Sequence, residues 1–102
     1  GKIEPGESAP QALRRELHEE LGIVAEIGPE MYRTRHAYPG RYTVELLFYA
    51  ITVFAGSVEN LTFEQVCWVA PAHLPTFDFL EGDAELITLL SQEQLTLPQS
   101  QA

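Results

Sequence analysis

The feature that most constrains the fold is a helix-forming segment with capping residues at both ends. Ser8, followed three residues later by Gln11, has the form of a capping box, which starts a helix. Pro10 fits the first turn, where its missing N–H costs little, and Gly22 fits the left-handed position just past the last turn. The sequence therefore predicts a loop, a helix of about three turns and a stop.

Three glutamates lie within one narrow arc of this predicted helix. At about 100° per residue, Glu16, Glu19 and Glu20 fall within an arc of roughly 100°, beside a stripe of leucines at positions 13, 17 and 21. Glu16 has no oppositely charged residue four positions on, because that residue is Glu20. Carboxylates favour hard divalent cations, and Mg²⁺ is usually shared between carboxylates and substrate phosphates. Two interpretations stay open here, a metal site and an ordinary solvated acidic face.

Composition narrows the classes of function. The chain has 102 residues, enough for one domain with a modest core, and a formal net charge of −9. This charge argues against a surface for duplex nucleic acid but not against a nucleotide, whose phosphates a metal ion can carry. The single cysteine, Cys67, lies between Val66 and Trp68, where we expect a buried thiol in a reducing compartment. With no apolar run of about 18 residues and no signal-like start, we expect a soluble cytoplasmic protein without a membrane partner.

The remainder of the chain predicts mostly strands. Alternating or β-branched runs predict strands at residues 24–27, 31–37, 42–54 and 65–69. The run 42–54 is the longest, and it has the composition of a central strand buried on both faces. A helical turn is predicted at residues 71–74 and a last helix at 83–92. We therefore expect one domain over residues 1–92 and a disordered tail over 93–102.

The helix and the loop before it fill a longer spaced pattern. The pattern is Gly, five residues, Glu, seven residues, Arg-Glu, an aliphatic, any residue, Glu-Glu, any residue, Gly, an aliphatic. Every specified position is filled here, by Gly1, Glu7, Arg15, Glu16, Leu17, Glu19, Glu20, Gly22 and Ile23. In these residues the segment resembles the Nudix box, the signature of the Nudix hydrolases.

This resemblance implies an α/β (α+β) fold in which a mixed β-sheet lies between helices. Members of the family normally have one or two strands before the box, whereas this chain starts on the first Gly of the box. The resemblance therefore implies a domain that is N-terminally truncated and lacks the usual N-terminal strand or strands. An exposed sheet edge of that kind is open to self-association.

The resemblance also implies roles for individual residues. Glu16, Glu19 and Glu20 match the carboxylates that bind Mg²⁺ or Mn²⁺, and Glu19 counts among the catalytic residues. Arg15 matches an arginine that orients those carboxylates; its alternative role is surface pairing with Glu19. Gly1, Glu7 and Gly22 match structural positions of the motif. Outside the box, Glu64 is the candidate for a further metal ligand or general base, with Glu59 as the weaker alternative and a plain loop glutamate as the rival interpretation.

Two further segments are similar to the MutT-like branch, which cleaves nucleoside triphosphates to monophosphate and pyrophosphate. These are residues 36–39 with 42–48, and residues 77–83. Asp83 matches the position where that branch places a base-reading Asn or Asp, and apolar contact would come from Phe77, Phe79 and Leu80. The alternative for Asp83 is a simple helix N-cap.

The function implied is metal-dependent hydrolysis of a nucleoside triphosphate, such as 8-oxo-dGTP or a related oxidised nucleotide. The alternative is a truncated or degenerate module that binds nucleotide without turnover. An intact box favours the first, and the missing strands favour the second.

Overall fold

The first helix, α1, spans Ala9–Leu21, and a computed structural model that describes residues 2–95 confirms both predicted caps. The Gln11 N–H donates to the Ser8 hydroxyl at 3.2 Å, and the Ser8 N–H donates to the Gln11 side chain at 2.8 Å. Gly22 takes the left-handed conformation at φ 70°, and its N–H donates to the His18 carbonyl at 3.1 Å. The loop–helix–stop segment is therefore set by local hydrogen bonds. Gly1, the first residue of the box, lies outside the described residues.

This cap makes a stability prediction. Replacing Ser8 by Ala removes the acceptor for the Gln11 N–H and should lower the free energy of unfolding by about 1 kcal/mol. Ser8→Asp retains an acceptor and should keep most of the stability. Urea unfolding of the two variants beside the wild type measures the difference, and an unchanged midpoint for Ser8→Ala would contradict this account of the helix start.

Four strands follow the helix and pair as two two-stranded sheets. Strand β1, Val24–Glu26, pairs antiparallel with β4, Val53–Ala55, with Val24 opposite Ala55. Strand β2, Glu30–Tyr38, pairs with β3, Tyr42–Tyr49, through a tight turn in which the Arg41 N–H donates to the Tyr38 carbonyl at 3.0 Å. A connection this short joins antiparallel neighbours. The α+β class predicted from the sequence is thus confirmed.

The described strands do not form the single mixed sheet that we expected. Pairing changes at Pro29, which has no N–H to donate to a ladder. There Ala50 accepts from the Gly28 N–H at 2.8 Å and donates to the Pro29 carbonyl at 3.1 Å. The predicted run 42–54 is accordingly divided into β3 and β4. The residues of these two strands are half-buried or exposed, so the expectation of a strand buried on both faces is wrong.

The C-terminal part of the chain is helical, as predicted. Two 3₁₀ turns, Pro71–Thr76 and Glu81–Asp83, precede the second helix, α2, which spans Ala84–Ser91. Leu86 is its buried residue. Of the predicted tail, residues 93–95 are described, and the N–H groups of Gln94 and Leu95 donate to the Leu89 carbonyl. The rest of the tail, 96–102, lies outside the described residues.

The predicted strand at residues 65–69 is wrong. This segment has no regular secondary structure, because no strand among the described residues pairs with it. Its apolar side chains are consequently accessible, and Trp68 is 80% exposed. Cys67 is exposed as well, so the expectation of a buried thiol is also wrong.

The described chain packs as two compact units. The first comprises residues 2–29 and 49–67, and the second comprises residues 30–48 and 68–95. The core of the first unit is made of small side chains and one isoleucine, Ala12, Ile23, Ala25 and Ala50. Across residues 2–95, no helix has the length and apolar character needed to span a membrane.

Candidate active site

Arg15 ties the loop before α1 to the helix. Its Nε and Nη2 donate to the two carboxylate oxygens of Glu7 at 2.9 and 3.1 Å, and Nη2 also donates to the Lys2 carbonyl at 3.1 Å. The pKa of Glu7 is lowered, mainly by the hydrogen bonds from Arg15 and next by the hydrogen bond from the Glu4 N–H. Such a bidentate pair fixes direction as well as distance. The first loop of the box is therefore held on the helix by one guanidinium group.

The same guanidinium also reaches two of the box carboxylates. Nη1 of Arg15 donates to Glu16 at 3.1 Å and to Glu19 at 3.4 Å, and it lies 3.7 Å from Glu4. Hydrogen bonding to Glu7, above all, raises the pKa of Arg15. Individual exposed ion pairs contribute little stability, but a shared guanidinium at the centre of several carboxylates fixes their arrangement.

Glu16 and Glu20 form a carboxyl pair one helical turn apart on α1. Both residues lie on the same face of α1 as Ala12, which is 4% exposed. The Glu16 side chain, one turn after Ala12, is 19% exposed. The hydrogen bond with Glu16, together with partial loss of water, raises the pKa of Glu20. The same bond, assisted by Arg15, lowers the pKa of Glu16. The two pKa shifts are opposite in direction, as expected for two like-charged groups on neighbouring helical turns, where ionisation of one disfavours ionisation of the other.

The third carboxylate of the predicted arc is placed differently. The Glu19 side chain is 58% exposed, and its described partner is Arg15. Within residues 2–95, no group of three or more His, Cys, Asp or Glu side chains is arranged to hold a metal ion. The structure therefore brings together Glu16 and Glu20 and leaves Glu19 beside the guanidinium.

The donor set of the pair fits a divalent cation. Carboxylate oxygens are hard ligands, and two carboxylates one helical turn apart occupy a place where a cation would relieve their repulsion. Mg²⁺ usually takes only one or two protein carboxylates and completes its shell with water and substrate phosphates. Glu16 and Glu20 supply such a partial set, with Glu19 nearby on the same last two turns.

A loop at residues 56–63 closes the C-terminal end of α1. The Glu59 N–H donates to the Leu21 carbonyl at 2.9 Å, and the Leu61 N–H donates to the Glu20 carbonyl at 3.1 Å. Glu59 therefore lies at the end of the acidic helix. Glu64, the other candidate outside the box, follows this loop on an exposed segment.

A groove of about 690 Å³ lies on the other side of α1, against the β1–β4 sheet. Helix residues Pro10, Gln11 and Arg14 line it, and they lie about half a turn around the helix from the carboxylates. None of the three box glutamates lines this groove. The acidic pair is thus a feature of the helix surface and does not belong to this groove.

In the second unit, Asp83 ends a turn that packs tightly on β2 and β3. Gly82 is buried, and a Cβ at that position would lie 2.7 Å from Leu46 Cδ1 and 3.2 Å from the Tyr38 hydroxyl. Asp83 is half-buried, and its side chain makes no capping hydrogen bond to α2. The N-cap alternative for this carboxylate therefore has no hydrogen bond to support it. The apolar candidates of the same unit, Phe77, Phe79 and Leu80, are all exposed.

Two further residues, His36 in the second unit and Asn60 in the first, were not among the predicted site residues. His36 is half-buried, and its Nε2 is buried without a hydrogen-bond partner, 3.6 Å from a Glu81 carboxylate oxygen. Its alternation with Tyr38 along β2 was the available signal. Asn60 accepts a hydrogen bond from the Phe63 N–H at 2.7 Å, a local contact typical of asparagine in turns.

Comparison with known proteins gives a consistent set of relatives. The family model described as the NUDIX domain matches residues 1–90. The 8-oxo-dGTP diphosphatase of Haemophilus influenzae is 35% identical over 94 residues, which cover 91% of this chain and 68% of that protein. The CTP pyrophosphohydrolase of Escherichia coli K12 is 32% identical over 87 residues, covering 85% of this chain and 64% of that protein.

A solved structure agrees with these relatives. The solution structure of the E. coli ORF135 protein matches with a TM-score of 0.80 and 30% sequence identity. The match covers 92% of this chain and 66% of the ORF135 chain. The chain thus spans about two thirds of the length of the relatives that it matches.

Proposed function

The chain belongs to the Nudix hydrolase family, in its MutT-like branch, and from that premise we propose that it hydrolyses a nucleoside triphosphate to the monophosphate and pyrophosphate. Members of this family generally depend on a divalent metal ion, and we propose Mg²⁺, with Mn²⁺ as the substitute. The observation that carries the proposal is the carboxyl pair of Glu16 and Glu20 on neighbouring turns of the box helix, with Arg15 bonded to Glu16 at 3.1 Å.

The proposed roles follow from the contacts of each side chain. Glu16 and Glu20 would hold the cation, and Glu19, which contacts Arg15 in this structure, would be available as a further ligand. Arg15 orients Glu16 and holds the loop through Glu7. When bound, a divalent ion polarises phosphate oxygens, lowers the pKa of a water molecule and offsets charge on the leaving phosphate.

Two assignments in this proposal rest on the family resemblance. Glu64 acts as the general base, which accepts the proton of the attacking water, and Glu59 is the alternative for that role. Asp83 accepts hydrogen bonds from the edge of the base, while Phe77, Phe79 and Leu80 contact its apolar face. The assignment to base recognition is supported by the exposed aromatic rings and by the Asp83 carboxylate, which makes no capping hydrogen bond to α2.

The proposed substrate is an oxidised purine nucleotide, with 8-oxo-dGTP first. Two of the relatives carry the names 8-oxo-dGTP diphosphatase and CTP pyrophosphohydrolase, so purine and pyrimidine triphosphates must be compared directly. The test is kcat/KM with Mg²⁺ for 8-oxo-dGTP, dGTP, dCTP, CTP and ADP-ribose, with the products identified. We expect monophosphate and pyrophosphate from a triphosphate. Diphosphate with inorganic phosphate, or a preference for ADP-ribose, would contradict the proposal.

Asp83 gives a prediction specific to the base. Asp83→Ala should raise KM for the preferred purine nucleotide about tenfold or more, since an unmet buried hydrogen-bond partner costs roughly 1–3 kcal/mol. The melting temperature should change little, because the Asp83 side chain makes no capping hydrogen bond. Steady-state kinetics on purine and pyrimidine triphosphates, together with thermal melts, measure both effects.

The matched control for this variant is Asp78→Ala, which removes an exposed carboxylate from the same segment. Asp78→Ala should leave KM and selectivity unchanged. Equal losses for every nucleotide in Asp83→Ala would end the base-reading assignment. A large loss of stability with intact selectivity would show a structural role instead.

A second candidate function is nucleotide binding without turnover. It is favoured by the position of Glu19, which stays with Arg15, and by the lack of a three-carboxylate cluster within residues 2–95. Equilibrium binding of a nonhydrolysable nucleotide beside the turnover assay separates the two functions. Tight binding with no products would favour this second candidate.

A further inference from the structure

The loop at residues 56–63 does more than connect β4 to the segment that follows. The last four carbonyls of any helix lack partners inside the helix. Here the loop supplies donors for two of these carbonyls. The Glu59 N–H donates to the Leu21 carbonyl, and the Leu61 N–H donates to the Glu20 carbonyl. The loop also lies close to Gly22, where an added Cβ would be 3.7 Å from Leu61 Cδ1 and 3.9 Å from Glu59 Cβ. The C-terminal turn of α1 is thus fastened from outside.

The side chain of Asn60 shapes this loop. Its Oδ1 accepts from the Phe63 N–H at 2.7 Å. This bond turns the backbone just after Glu59 and Leu61, whose N–H groups reach the helix, and just before Glu64. Asparagine favours such a turn because its short amide replaces a backbone acceptor. The bond is exposed, and it is local in sequence. Asn60 therefore shapes the loop through a bond to the loop's own backbone.

The turn that the loop fastens is the one that bears the acidic residues. Glu19 and Glu20 are the two residues before Leu21, the last residue of α1. The carbonyl of Glu20 itself accepts the hydrogen bond from the Leu61 N–H. Fraying of this turn would let Glu20 move away from Glu16, because the pair depends on helical spacing between positions 16 and 20.

We infer that Asn60 is a positioning residue for the carboxylate pair: by holding the 56–63 loop against the end of α1, it keeps Glu20 where it can share a divalent cation with Glu16. This inference rests on the proposed function for the identity of the ligand. It goes beyond that function because it makes the affinity for the metal ion depend on a residue outside the box that is not itself a ligand. Groups that orient metal ligands commonly change metal affinity by about tenfold or more when they are removed.

The test is titration of the metal-free chain with Mn²⁺ alone, followed by electron paramagnetic resonance of the free ion. Asn60→Ala removes the acceptor for the Phe63 N–H and should raise the dissociation constant for Mn²⁺ about tenfold. Hydrogen exchange at the Glu59 and Leu61 amides should quicken in the same variant. At saturating Mg²⁺, KM for the nucleotide should stay unchanged, since the loop acts on the cation site.

Three variants separate positioning from general loss of stability. Asn60→Asp keeps the acceptor oxygen and should bind Mn²⁺ at least as tightly as the wild type, because its added charge also favours a cation. Asn60→Ser keeps a weaker acceptor and should lie between wild type and Asn60→Ala. Thr76→Ala, in the second unit, removes a similar exposed hydrogen bond of 2.7 Å to the His73 carbonyl and should leave Mn²⁺ binding unchanged.

Each outcome decides the matter. If Asn60→Ala binds Mn²⁺ like the wild type, or if Thr76→Ala weakens binding equally, the inference is overturned while the proposed function stands. If the wild type binds Mn²⁺ and the variants behave as described, but no nucleotide is hydrolysed, only the proposed function fails. If the wild-type chain binds no Mn²⁺, both fail. Should Asn60→Ala not fold, Asn60→Ser and Asn60→Asp carry the comparison.

Discussion

Glu20→Gln should lower turnover roughly a hundredfold or more, which is the scale on which losing one preorganised electrostatic group lowers kcat. Glutamine has nearly the shape of glutamate but carries no negative charge, so a cation shared with Glu16 would lose one of its charged ligands. The fold should survive, because the substitution also removes the like-charge repulsion between Glu20 and Glu16. The measurement is kcat at saturating nucleotide and Mg²⁺, beside a circular dichroism spectrum.

The matched control is Glu26→Gln, which removes a charge from an exposed position on β1. It should keep wild-type turnover. The thermal response to Mg²⁺ gives a second readout, since a ligand that binds only the folded state raises the melting temperature. Mg²⁺ should stabilise the wild type and Glu26→Gln but not Glu20→Gln. Wild-type rates in Glu20→Gln would show that the carboxyl pair is not the metal site.

The largest expected effect on stability comes from Gly28→Ala. A Cβ at position 28 would lie 2.5 Å from the Ala50 carbonyl oxygen, which is a backbone atom held by the Gly28 N–H at 2.8 Å. The Ala50 carbonyl oxygen and the Gly28 backbone cannot move apart without breaking this hydrogen bond, which lies beside the β1–β4 ladder. We expect a loss of about 2–3 kcal/mol, at the upper end of what inserting one extra carbon costs. Thermal and urea unfolding measure it.

Gly40→Ala serves as the contrast for that prediction. Gly40 has a φ of 73° and nothing within 4 Å of an added Cβ. Alanine there meets only the backbone cost of the left-handed region, about 1–2 kcal/mol. A smaller loss in Gly28→Ala than in Gly40→Ala would contradict the close approach of Gly28 to Ala50.

Local signals predicted the acidic helix well. The Ser8–Gln11 capping box and the left-handed Gly22 involve residues within one turn of each helix end, so their hydrogen bonds do not depend on the remainder of the fold. The helical period likewise predicts that three glutamates share an arc. It does not predict which two converge. Nor does it predict that Arg15 bonds Glu7, eight residues earlier, as well as Glu16 and Glu19.

Predictions that depended on distant partners were less successful. Residues 65–69 have the composition of a strand, but a strand needs a neighbour, and within residues 2–95 none pairs with this segment. The exposure of Cys67 and Trp68 follows from that missing pairing. The closure of α1 by the 56–63 loop was unpredictable for the same reason, since its hydrogen bonds join residues about forty positions apart along the chain.

The central claim is that a divalent ion held by Glu16 and Glu20 supports hydrolysis of a nucleoside triphosphate. The most direct measurement is pyrophosphate release from 8-oxo-dGTP by the chain in EDTA, after addition of excess Mg²⁺, and in the Glu16→Gln and Glu20→Gln variants. We expect no release in EDTA, restored release with Mg²⁺ in the wild type, and at most about a hundredth of that rate in either variant. Release that persists in EDTA, or that both variants retain, would contradict the account.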